Sequence, residues 1–207
     1  MKKLEKIALL SSGIGKEVIV RMYFRRIPYY FYYYVHAVSD RLVLGQEEYD
    51  FQLNGYHVRK LSQLTKAEIK DDLCPKINIW NGVVKGLKAP IVDITSWRSL
   101  LSSPILQNRF VIIEDEANDQ FDIGLITKAL SRHVRFLHFG SDGVFDEEEI
   151  EIPYSTITHV SWGTRYAEQW YSYMEAHGML PAVGNAHEAA DNAGKNCSAA
   201  LCKPQIT

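Results

Sequence analysis

The chain has 207 residues, enough for one large domain or two small ones, and its 46% apolar and 23% charged residues exclude disorder throughout. No stretch approaches the roughly 18 uninterrupted apolar residues of a membrane helix, and the run Ile7-Ala8-Leu9-Leu10 is too short for a secretion signal, so a cytoplasmic protein without a membrane partner is expected. The formal charge of -2 is uneven: residues 1–28 carry seven bases against two acids, while residues 104–162 carry eleven acids against four bases, a local -7 that repels polyanions.

From the N-terminus, Ser11-Ser12-Gly13-Ile14-Gly15-Lys16 lacks the spacing and the preceding strand of a phosphate loop, and reads as a flexible lead. Strand-forming runs follow at 18–24 and 29–38. The second opens with Tyr29-Tyr30-Phe31-Tyr32-Tyr33-Tyr34, and alternation places Tyr30, Tyr32 and Tyr34 on one face and Tyr29, Phe31 and Tyr33 on the other. One face must fill a core; the other offers amphipathic rings to a protein interface or to stacked bases. From Ala37 the segment AVSDRLVLGQEEYDFQLNGYHVRKLSQLTKAEI gives a short strand, an acidic turn-rich stretch, the alternating strand HVRKL and a closing strand at Leu64-Thr65-Lys66. Pro90 limits any helix before it, and Thr95 or Ser96 can cap a short helix over Trp97-Arg98-Ser99-Leu100-Leu101.

Strand runs recur at 109–114 and 121–130, and from Ala129 the segment ALSRHVRFLHFGSDGVFDEEEIEIPYSTITHVSW repeats the first. Ala-x-Ser opens both copies and Ile157-Thr158-His159 stands against Leu64-Thr65-Lys66. The copies differ by about one residue in the acidic loop, which a loop absorbs cheaply. Thr164 can cap a helix over 165–177 whose stripe of Tyr166, Trp170, Tyr173, Met174 and His177 is expected to pack on the second copy. Beyond 178, Ala, Gly and Asn dominate without a period.

About five short strands per half suit small closed or nearly closed barrels, which remove the exposed edges of an open sheet. The expected fold is therefore mainly β, with two tandem small barrels, short connecting helices and a C-terminal helix. The expected division is an N-terminal barrel at 1–72, a connector with a short helix at 73–107, a C-terminal barrel plus helix at 108–177, and a flexible tail at 178–207. Over most of residues 17–170, these two segments and the connector VDITSWRSLL resemble the tandem Sm-like, SH3-like small-barrel repeats of a bacterial protein family. The resemblance implies RNA as a candidate ligand and assembly into rings, a fold-level analogy. The chain departs from the RNA-binding pattern: Gln46-Glu47-Glu48-Tyr49-Asp50 and Ser141-Asp142-Gly143-Val144-Phe145-Asp146 do not match its polar nucleotide pocket.

No nucleophile, base and orienting group can be assembled from the motifs, so no catalytic residue and no cofactor are expected. His187, Cys197 and Cys202 have no usual zinc spacing, and Asp115, Asp119, Asp142 and Asp146 form no calcium-loop pattern, so no metal is expected. The leading expectation is a non-catalytic interaction or scaffold module, homo-oligomeric or with an unidentified protein partner, contacting it through Tyr29, Phe31, Tyr33, Trp170 and Tyr173. The alternative is RNA binding on the first half, where Arg21, Arg25, Arg26 and Lys66 would meet phosphates and Tyr30 and Tyr32 would stack on bases. An enzyme is the least supported reading.

Overall fold

The runs rich in Val, Ile, Tyr and Phe fold as strands in a computed structural model that describes residues 1–181. The first five are β1 (Val20–Phe24), β2 (Tyr30–Val38), β3 (Leu42–Tyr49), β4 (Gln52–Lys60) and β5 (Leu64–Ile69). The next five are β6 (Val111–Asp115), β7 (Gln120–Ala129), β8 (His133–His138), β9 (Ile150–Pro153) and β10 (His159–Trp162). All lie in one sheet ordered β5-β1-β2-β3-β4-β10-β6-β7-β8-β9, and every pairing is antiparallel. The fold is mainly β as expected, but its strands form one continuous sheet that is not closed as a barrel. At the centre of the sheet β4 pairs with β10, so both of these strands have both edges occupied and neither can close its own half; β5 and β9 remain as the sheet's ends.

The order of the second five strands reproduces that of the first. The Val20–Tyr33 pair corresponds to Val111–Gly124, each partner 91 residues on. Leu42–Lys60 corresponds to His133–Pro153, 91 on for the first partner and 93 for the second. Two residues are therefore inserted between β8 and β9, and Lys128, not Ala129, occupies the place of Ala37. A bulge recurs at the same position in β2 and β7, so the 91-residue offset holds on both sides of it and the Ala-x-Ser match is out of register by one residue.

Four helices cover the sheet. The N-terminal run is α1 (Lys3–Gly13), in which Glu5 accepts from the Lys2 backbone N–H; of the expected flexible lead Ser11–Lys16, the first three residues end this helix. The connector holds α2 (Leu73–Trp80), capped by Asp72, and a 3₁₀ turn at Val83–Gly86. Ser96 caps α3 (Trp97–Leu101) by accepting from the Ser99 N–H, as Thr164 caps α4 (Arg165–Ala176) by accepting from Ala167. Among the described residues no helix is long and apolar enough to cross a membrane.

Three apolar clusters follow. Leu10 of α1 packs on Val20, Met22, Phe24, Tyr33, Val35 and Val43. Leu100 and Leu101 of α3 pack with Val111, Ile113, Val134, Phe136, Val160 and Trp162, and Leu42, Leu44 and Val58 of the first five strands are buried in that same cluster. The third lies under α4, around Phe110, Ile123, Leu125 and Phe139. The buried face of α4 is Ala167, Trp170, Tyr171 and Met174, whereas Tyr166, Tyr173 and His177 of the expected stripe are exposed. Most of the expected tail, with His187, Cys197 and Cys202, lies outside the described residues.

Candidate functional site

The residues expected to meet RNA fall on the outer side of β1, β2 and β5 and their turn. Arg21 donates to Glu68 Oε1 at 2.9 Å and to the Tyr32 hydroxyl at 3.2 Å, and it lies 4.7 Å from the centre of the Tyr30 ring. Lys66 pairs with the same Glu68 at 2.7 Å, so one carboxylate already engages both cations. Arg25 and Arg26 are exposed at the β1–β2 turn. Of the residues expected at a protein interface, Tyr29 and Tyr173 are exposed, and Phe31 and Trp170 are half-buried. Tyr33 is a correction: it points into the α1 cluster, 2% exposed, because its face of β2 is the one that fills the core.

A different basic site emerges where turns from both runs meet the first residues of α1 and α3. A cavity of about 730 Å³ is lined by Lys3, Lys6, Arg41, Lys60 and Arg98, with Asp40 as its one acid. Asp40 pairs with Lys3 at 3.4 Å, Lys6 reaches the Leu61 carbonyl at 3.4 Å, and Lys60 donates to the Ser155 carbonyl at 2.7 Å. Burial holds the Lys60 ammonium below its ordinary pKa, which marks a cation that gains from an anion nearby. Trp97 also lines the cavity, and its buried indole N–H has no acceptor among the described residues. Counting charges along the sequence missed this site, because its five cations come from four separate segments, only Lys3 and Lys6 sharing one.

The second polar assembly is interior, on the β4–β10 pairing. Glu114 Oε2 lies 2.6 Å from His159 Nδ1, His159 Nε2 lies 2.9 Å from His57 Nδ1, and His57 Nε2 lies 2.9 Å from the Asn54 carbonyl. Asn54 also donates to Glu47 at 2.7 Å and accepts from the Arg165 N–H at 3.0 Å, tying the β3–β4 hairpin to the start of α4. Beside this row the buried Arg59 donates to Glu116 at 2.6 Å and to the Tyr33 hydroxyl at 3.1 Å, with its guanidinium 4.3 Å from the Phe31 ring centre. Burial pushes the Glu47 and Glu114 carboxyls up and holds both imidazoles well below the usual histidine range, with the His159 charge adding to the effect on His57 and Arg59 to that on His159. Burial alone would weaken the Arg59 cation, but Tyr33 and Glu116 outweigh it, and the guanidinium stays charged.

Glu114, Glu116 and His159 bring three ligand-type atoms within 4.8 Å of one another. Arg59 already neutralises Glu116, and both His159 nitrogens are engaged, so the cluster is balanced without a cation. The space beside His57 and Arg59 admits no water-sized molecule, so a substrate has no approach from that side. No family model, no curated protein and no solved structure matches this chain.

Proposed function

We propose that the protein is a non-catalytic binding module, built from two Sm-like units in tandem, whose basic cavity receives a phosphate-bearing strand such as single-stranded RNA. The observation that carries this reading is five cations lining one cavity in a chain of net charge -2. A volume of this size suits a nucleotide-sized group. The common strand order of the two five-strand runs supports the tandem-unit reading. Titration of a labelled single-stranded RNA should show binding at low salt that weakens steeply at moderate salt. An Arg41→Ala, Lys60→Ala variant should lose about tenfold in affinity, since each removed phosphate contact takes its share of the electrostatic term. An Arg25→Ala, Arg26→Ala variant should bind as the wild type does. Equal loss in both variants would return the site to the first strands, and no binding at low salt would remove RNA altogether.

A second reading, protein contact, rests on a groove of about 300 Å³ lined by Tyr29, Tyr30, Tyr49 and Phe51, all four of them exposed. Exposed aromatic residues of this density are the usual anchors of protein interfaces.

A further inference from the structure

The row Glu114–His159–His57–Asn54 contains three hydrogen-bonded links, and each link holds one proton. The Asn54 carbonyl can only accept, so His57 Nε2 carries a hydrogen. Two neutral imidazoles supply two protons for three links. The third is therefore either on the Glu114 carboxyl or on an imidazolium facing the Glu114 carboxylate, and in both arrangements the row is neutral. A fourth proton has two places to go. On an imidazole nitrogen it sets two hydrogens against each other in one link. On the outer oxygen of Glu114 it takes away the counter-ion of an imidazolium. Either outcome leaves a positive charge where His57 and His159 are 6% and 4% exposed, and buried unpaired charge is expensive.

The surroundings do not rescue that charge. Arg59 of β4 is itself a cation, and Tyr33 of β2 and Glu116 are committed to it. Glu47 of β3 lies 3.4 Å from His57 Nε2, but its carboxyl, like that of Glu114, is raised by burial and takes up its own proton early as the pH falls. Ser161 of β10 and Thr158 just before that strand are neutral, and Thr158 donates to the Glu114 carbonyl at 3.0 Å. Within the row, only the His57–His159 link joins a side chain of β4 to one of β10.

We infer that this row is a proton-counting latch: three protons close the His57–His159 link between β4 and β10, and a fourth opens it, loosening the joint between the two five-strand runs at acidic pH. Both imidazoles titrate below 6.5 in the folded chain and near 6.5 when unfolded, so their contribution to stability is complete above 6.5 and is lost as the pH falls toward the folded values.

Hydrogen exchange on the full chain, corrected for intrinsic rates and compared between neutral pH and about pH 5, reads the latch directly. The amides of β4 and β10 should lose about tenfold more protection than those of β7 and β8 in acid, and a His57→Gln, His159→Gln variant should lose this difference. Protection in β4 and β10 that tracks β7 and β8 at both pH values would overturn the inference. Histidine ring resonances of the wild type provide a test without mutation. Joint titration of His57 and His159, below the ordinary histidine range, is expected; independent titration at ordinary values would equally overturn it.

Discussion

Arg59 shows what one buried charge needs. It sits opposite His159 in the central ladder, with its guanidinium held by one carboxylate, one phenol and the faces of Phe24 and Phe31. In the second run the corresponding position is Ile152, so the same place in the strand order tolerates an apolar side chain. Glu116→Gln should destabilise the protein by on the order of 3 kcal/mol, because it leaves a buried guanidinium without its counter-ion. Adding Arg59→Met to that variant should recover most of the loss, and urea midpoints of the two proteins measure the difference. A double variant no more stable than the single one would show that Arg59 is needed for its shape and not its pairing. The alternation in HVRKL is legible in the sequence, but it reads as Val58 inward with His57 and Arg59 outward. Both faces of β4 are covered in the fold, which no local period reveals.

At the level of elements, local chemistry was the readable part. The caps, Thr95 or Ser96 for one helix and Thr164 for the other, are legible because a hydroxyl and the N–H three residues on are neighbours in the chain; the structure selects Ser96. The runs at 18–24, 29–38, 109–114 and 121–130 lie within two residues of β1, β2, β6 and β7, whereas HVRKL begins five residues after the start of β4. Helix α1 escaped because Leu4 is 79% exposed and its inward residues make only a weak stripe. Yet Leu10 of α1 and Leu101 of α3 lie 91 residues apart, both fully buried, each ten residues ahead of its run's first strand pairing at Val20 or Val111. Side-chain volume is exchanged within the same framework: Tyr33 and Gly45 of the first run correspond to Gly124 and Phe136 of the second. A Cβ on Gly45 would lie 2.9 Å from that of Tyr33, and one on Gly124 would lie 2.0 Å from the Leu137 carbonyl oxygen. Gly45→Ala should therefore cost about 1–3 kcal/mol by overpacking, and a Tyr33→Gly background, which removes the Cβ it meets, should shrink that cost. Gly124→Ala meets backbone, which moves less readily, and should cost more. Thermal unfolding of the set measures both.

Across the whole molecule, closure was the feature the sequence did not carry. Which strand takes the last open edge depends on a partner about a hundred residues away, and here β10 reaches β4 before β5 can. The two ends of the sheet are then β5, with Lys66 and Glu68, and β9, with Glu151 and Pro153; charges and proline at an edge discourage indiscriminate pairing. Self-association is therefore argued from the aromatic groove. Light scattering should give a mass above that of the 23.7 kDa monomer, and Tyr49→Lys should lower it; a monomer at every concentration would remove the groove as a contact between copies.

Leu42, Leu44 and Val58 belong by strand order to the first run but are buried with α3 and β6–β10. The covalent link between the runs passes through a connector in which Ile91 is 96% exposed. Mechanical continuity therefore resides in the interleaved interior and the central ladder rather than in the peptide that joins them. A protease that cut at Ile91 would sever the backbone while the two fragments kept a common interior, and they would part only when that interior came apart.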